Sequence, residues 1–211
     1  MQRLCNNHMT GNIHTMTSSQ SDETLMLQYA KGDMAAFELL YRRHKNSVFR
    51  FFARQCDDHH LAEELFQELW NKIIKARSTY QASAKFTTWL YQLARHVLID
   101  AMRRKQVRTQ HLVQTEPEIP TSNVIELVAF DPSISKRVET AQQVELLKGC
   151  LALLPLEQKE AFLLRHEAQL SVSEIAQVIG ELPENIKSRI RYAMSKLKRC
   201  LVNKLGADHE Q

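Results

Sequence analysis

Residues 187–199 carry six cations, Lys187, Arg189, Arg191, Lys196, Lys198 and Arg199, and no acid. Cations at this density suit phosphate countercharge, and Arg or Lys also pairs with guanine edges in a major groove. A solvated helix face is the competing account, but such a face normally intersperses acids, and none occurs between Ile186 and Ala207. What precedes the run favours nucleic acid. In "LSVSEIAQVIG", Ser171 is placed as an N-cap, Glu174 stands at the reciprocal capping-box position, and Gly180 follows the last turn. Pro183 suits the first turn of the next helix, where its missing N–H costs nothing. A short capped helix, a tight turn and a basic helix make a helix-turn-helix, whose second helix enters the groove by its first turns. Lys187, Ser188, Arg191 and Tyr192 would face bases there, and Arg189, off that stripe, would meet phosphate.

A second basic stretch, "FTTWLYQLARHVLIDAMRRKQVR", interleaves cations with aromatics. Trp89, Arg95, His96, Arg103 and Arg104 are its candidates for unpaired bases and their phosphates, with Tyr80 and Tyr91 as added aromatic surface. Trp89 reads equally well as core. His96 is either a ring lining a base pocket or a surface histidine. In "AEELFQELWNKIIK", Leu61, Leu65, Phe66, Leu69, Trp70 and Ile73 turn inward, and Glu64, Gln67, Glu68 and Asn71 form an outer polar stripe. Enzyme chemistry finds no support, for the chain has no P-loop, nucleophile elbow or metal-spaced cluster. Cys56, His59 and His60 lack an obvious fourth ligand for zinc, so no metal and no cofactor is expected.

The elements that must position these residues are helical. None of the five glycines and five prolines falls between Gly32 and Pro117, and apolar spacing there is helical. Helices are expected over residues 22–31, 34–55, 61–76 and 87–108, then over 136–154 and 156–168, followed by the helix-turn-helix. Residues 112–135 hold three prolines, and between Leu112 and Asp131 lie four acids, Glu116, Glu118, Glu126 and Asp131, with no Lys or Arg. The expected class is all-α: two small helical domains, 21–108 and 136–205, joined by an extended linker over 109–135, with a disordered tail over 1–20. The cysteines, without a CxxC pair, read as thiols of a reducing cytoplasm. No apolar run approaches a membrane span, and the tail lacks a signal peptide's apolar core.

These segments together resemble the RNA polymerase sigma factors of the extracytoplasmic-function (ECF) group of the sigma-70 family. "GDMAAFELLYRRH" looks like the opening of the family's first domain, and "AEELFQELW" like its polymerase-binding helix. "FTTWLYQLARHVLIDAMRR" looks like its promoter-melting segment, and "LPLEQKEAFLLRHEAQLSVSEIAQVIG" followed by "IKSRI" like its second domain. The resemblance implies a cytoplasmic, non-enzymatic initiation factor. Its first domain would meet the clamp helices of core RNA polymerase through Glu64, Gln67, Glu68 and Asn71, and the minus-ten element through Trp89, Arg95, His96, Arg103 and Arg104. Its second would read the minus-thirty-five duplex and touch the polymerase flap, and the linker would thread toward the RNA channel. An anti-sigma factor is a further implied partner. The family usually has Asn where this chain has His96, and "GELPEN" carries its proline one place later than the family's pattern. The alternative is a stand-alone helix-turn-helix regulator, which leaves the Trp89 helix and the acidic stripe idle.

Overall fold

The computed structural model describes residues 20–56, 58–111 and 134–207. The acidic stretch 112–133 and residues 1–19 lie outside the described residues, and with them most of the expected linker and tail. Among the described residues every long element is a helix: α1 (Asp22–Ala30), α2 (Met34–Gln55), α3 (His59–Ala76), α4 (Phe86–His111), α5 (Ile134–Ala152), α6 (Leu156–His166), α7 (Val172–Ile179) and α8 (Pro183–Ala207).

Short polar side chains cap the starts of α1, α2, α3 and α7. Ser21 accepts from the Thr24 amide, and Asp33 accepts from Ala35 and Ala36. Asp58 accepts from the His60 amide at 2.9 Å, so α3 begins at His59 rather than at Leu61. His59 and His60 therefore sit in its first turn, each facing the carboxylate four residues on, Glu63 and Glu64. The start of α4 is secured from a distance: the Phe86 amide donates to Glu23 of α1 at 2.7 Å. Glu23 thus ties the loop before α4 to the first helix and sets where the Trp89 segment begins.

Helices α1–α4 share a core of Leu25, Met26, Tyr29, Leu40, Phe51, Phe52, Leu65, Leu69, Phe86 and Leu90, all essentially inaccessible. Two expectations are corrected here. Tyr80 and Tyr91, read as aromatic surface, are buried, and only Trp89 of the three keeps a partly open face. The reason is packing. Tyr91 meets Phe51 edge-on at 5.5 Å, and Tyr80 closes over Trp89 at 4.9 Å. Burial of the ring pushes the Tyr80 hydroxyl up to about 12, helped by the nearby Glu23 and Asp22 charges.

Helices α5–α8 form the second unit around Cys150, Leu163, Leu164, Ile175, Ile186 and Ala193. The capping box is present: Glu174 N donates to Ser171 Oγ at 3.3 Å, and Ser171 N to Glu174 Oε2 at 2.7 Å. Gly180 ends α7 at φ 81°, a backbone that only glycine adopts freely, and turns the chain into α8. The reading of the cysteines as unpaired thiols is also corrected. Cys150 of α5 and Cys200 of α8, 50 residues apart, form a disulfide with a Cα–Cα distance of 5.8 Å. The packing of α5 on α8 brings them together, which spacing alone does not show.

The two units dock on each other, α6 against α2 and α7 against α4. Among the described residues no helix is long and apolar enough to cross a membrane.

Candidate nucleic-acid and polymerase interfaces

The helix-turn-helix displays its basic face unevenly. Lys187, Arg191 and Tyr192 are exposed on the first turns of α8, and Ser188 is half-buried beside them. Arg191 Cζ lies over the Tyr192 ring, 5.2 Å from its centroid, within cation–π range. Lys187 pairs with Glu184 three residues back at 2.8 Å, an exposed contact that yields easily to a phosphate. Arg189 differs. Its Nη2 lies 2.9 Å from Glu157 and 2.8 Å from Glu181, and its side chain is only 19% exposed. It links the start of α6, the turn after α7 and α8, so its geometry is that of a brace within the unit.

On α3 the outer stripe is open: Glu64, Gln67 and Asn71 are exposed, and Glu68 is half-buried. Glu68 accepts from Arg104 of α4 at 3.2 Å and lies 3.4 Å from Lys72. Glu64 and Glu68 border a groove of about 480 Å³ whose other wall carries Ala101, Arg104 and Lys105. The structure therefore joins two sets of candidates that sequence kept apart, the α3 acids and the end of the basic helix.

On α4 itself Arg103, Arg104 and His96 are exposed, and Trp89 is half-buried between Tyr80 and Phe86. A second hollow, about 340 Å³, lies before α4 between Glu23 and residues Ala82, Ser83, Ala84 and Lys85. His96 lines neither hollow. Arg95 does not face solvent freely: its Nε donates to Glu160 of α6 at 2.9 Å. Burial pushes the Glu160 carboxyl above its usual range even though Arg95 pulls the other way.

The description "Sigma-70 region 2" matches residues 40–108, and "Sigma-70, region 4" matches residues 145–197. The chain belongs to the sigma-70 family. Several relatives named as ECF RNA polymerase sigma factors place it in the ECF group of that family. The RNA polymerase sigma-H factor of Pseudomonas aeruginosa is 26% identical over 83% of this chain and 76% of its own length. The ECF RNA polymerase sigma factor SigM of Bacillus subtilis is 27% identical over 75% of this chain and 91% of its own. In fold, the chain is similar to the sigma factor RpoE of Bartonella quintana, solved with the anti-sigma factor NepR (TM-score 0.63, 20% identity, 78% of this chain and 96% of that one). It is also similar to CnrH, solved with the cytosolic domain of CnrY (TM-score 0.60, 19% identity, 86% and 97%). In this ECF sigma factor the region 2 match spans the α3 stripe and the basic face of α4, and the region 4 match spans the helix-turn-helix.

The sequence reading missed the side chains that join the two regions: Arg50, Arg54 and Lys85 in region 2, and Glu160 and Glu167 in region 4. Glu174 was legible as a capping residue, but its partner Lys85, 89 residues away, was not. No local signal marks such pairs, because each member alone is an ordinary surface charge.

Proposed function

We propose that this chain is the promoter-recognition subunit of an RNA polymerase: it binds the core enzyme, directs it to a set of promoters and helps open the duplex, while the core supplies catalysis. It acts in the cytoplasm, where polymerase and chromosome meet, and an anti-sigma factor is a fitting regulator. In this reading residues 21–108 bind the clamp helices through Glu64, Gln67, Glu68 and Asn71. They take the minus-ten strand along Trp89, Arg95, His96, Arg103 and Arg104. Residues 136–205 read the minus-thirty-five duplex with Lys187, Ser188, Arg191 and Tyr192, and Arg189 steadies that helix or meets phosphate.

The observation that carries the reading is the pairing of two different surfaces in one chain: an exposed, capped helix-turn-helix with cations on its leading turns, and a separate helix with a half-buried Trp89 near its start and exposed Arg103 and Arg104 further along. Duplex readout and single-strand capture need these different tools. The test is reconstitution with core RNA polymerase and genomic promoter fragments, read as run-off transcripts and permanganate-reactive thymines. Defined transcripts that require both chain and core are expected. A chain that shifts duplex DNA alone, and neither joins core nor changes its start sites, would instead be the stand-alone regulator.

A further inference from the structure

The disulfide stands in the unit that carries the helix-turn-helix. Cys150, near the end of α5, is essentially inaccessible, and Cys200, late in α8, is half-buried. A small oxidant or reductant therefore reaches the pair from the Cys200 side. The leading turns of α8, with Lys187, Arg191 and Tyr192, belong to the same unbroken helix as Cys200. Helix α5 packs chiefly on α8, so the bond crosses the seam that holds α5 to its unit.

The surroundings of the two sulfurs are cationic. Lys196 and Lys204 stand four residues before and after Cys200, the spacing that puts side chains on one side of a helix. A Cβ on Gly149 would lie 3.0 Å from Lys204 Nζ, so this ammonium rests on α5 next to Cys150. Lys198 and Arg199 are exposed in the same turn, and no acid lies between Ile186 and Ala207. Positive charge favours thiolate over thiol, and the thiolate is the form that attacks a peroxide or a disulfide. In the role proposed above the chain works in the cytoplasm. Glutathione keeps thiols reduced there, and a disulfide is as a rule transient and redox-sensing.

We infer that Cys150 and Cys200 form an oxidation site: hydrogen peroxide closes the bond, glutathione reopens it, and the closed bond holds α8 in the form that reads the minus-thirty-five duplex. The inference rests on the reading of α8 given under the proposed function. In the closing step the Cys200 thiolate attacks one peroxide oxygen and the O–O bond breaks. Hydroxide leaves and takes up the proton that Cys200 released. The Cys150 thiol then attacks the sulfenic sulfur, the S–S bond forms as the S–O bond breaks, and water leaves with the thiol proton. Two thiols and one hydrogen peroxide thus give the disulfide and two waters. Opening runs by exchange, in which two glutathione thiols leave as glutathione disulfide. With the bond open, the rear of α8 keeps its packing on α5 and loses its covalent anchor.

The test uses the full chain, core RNA polymerase and a genomic promoter fragment that yields a run-off transcript. Trapping with maleimide-polyethylene glycol counts the free thiols after hydrogen peroxide and after glutathione. The pair should close in the first and reopen in the second, with circular dichroism still helical in both. Oxidised holoenzyme should bind the promoter fragment roughly tenfold more tightly than reduced holoenzyme, because closure raises the fraction of chain competent to bind. C150A/C200A should bind as the reduced chain does in both conditions. C5A/C56A should keep the whole response, which separates the pair from the other two cysteines. A bond that glutathione cannot open in the folded chain would overturn the site, and so would equal promoter affinity of the oxidised and reduced wild-type forms. Failure of the wild-type chain to support transcription in either state, with trapping still reporting closure and reopening, would count against the function and not the oxidation site.

Discussion

At the scale of the residue, Arg191 and Arg189 are two arginines of one helix with different surroundings. Arg191 is exposed and braced on Tyr192, and Arg189 is clamped between Glu157 and Glu181. Loss of a base contact costs about 1–3 kcal/mol and relaxes preference at one position. Arg191→Ala should therefore return an altered minus-thirty-five motif when the holoenzyme selects from random duplexes; an unchanged motif would remove it from base reading. Arg189→Ala should instead lower the melting temperature, by roughly 1 kcal/mol of stability, since two carboxylates share one guanidinium. Its salt dependence of DNA binding should stay at the wild-type slope. A slope reduced by about one would restore Arg189 to a phosphate.

At the scale of the element, α7 depends on Glu174. Hydrogen bonds from Ser171, then from Lys85, hold this carboxyl down from 4.5 to about 2. A carboxyl whose pKa is depressed by folding adds stability that is fully present above its unfolded value. That stability is lost as the pH falls from about 4.5 to about 2, the window set by the two values for Glu174. Glu174→Gln should accordingly be less stable at neutral pH and lack this component of the acid transition in denaturant titrations. Coincident acid curves for the two proteins would show that the carboxylate is not coupled to folding. The disulfide joins α5 to α8 in the same unit across 50 residues. Closing a long loop typically stabilises by about 2–4 kcal/mol. Reduction should lower the melting temperature, and the C150A/C200A chain should melt alike with and without reductant. These boundaries also show what was legible early: the capping box and Gly180 located α7, because caps are hydrogen bonds to neighbours three or four residues away. Capped by Asp58, α3 begins at His59, two residues before the expected start, since apolar periodicity marks the first buried residue rather than the first helical one.

At the scale of the whole molecule, the closed arrangement treats its two candidate surfaces differently. Glu64, Gln67 and Asn71 on α3 stay exposed with the regions docked, and Arg95 on α4 is covered. Glu68, beside that open stripe, already carries Lys72 and Arg104 as loose partners. Glu68→Lys should weaken binding to core polymerase by roughly tenfold or more, because reversal puts like charge where attraction was. Its circular dichroism should remain helical. Wild-type affinity for core from a folded E68K chain would take Glu68 out of the interface.

The amino-acid sequence by itself determined the helical class, the order of the helices, the helix-turn-helix and the acid-free run on α8. All of these rest on interactions within a few residues: periodic apolar faces, caps, a left-handed glycine and local charge composition. Tertiary structure decided which of the named charges are free to act. Arg95 and Arg189 read as ligands for nucleic acid, yet each meets a carboxylate brought from another helix. Tyr91 reads as surface and is core, and Cys150 reads as a thiol and is bonded to Cys200. The physical reason is common to all four. A side chain's availability depends on what the fold places within a few ångströms of it, and sequence separation carries no trace of that distance.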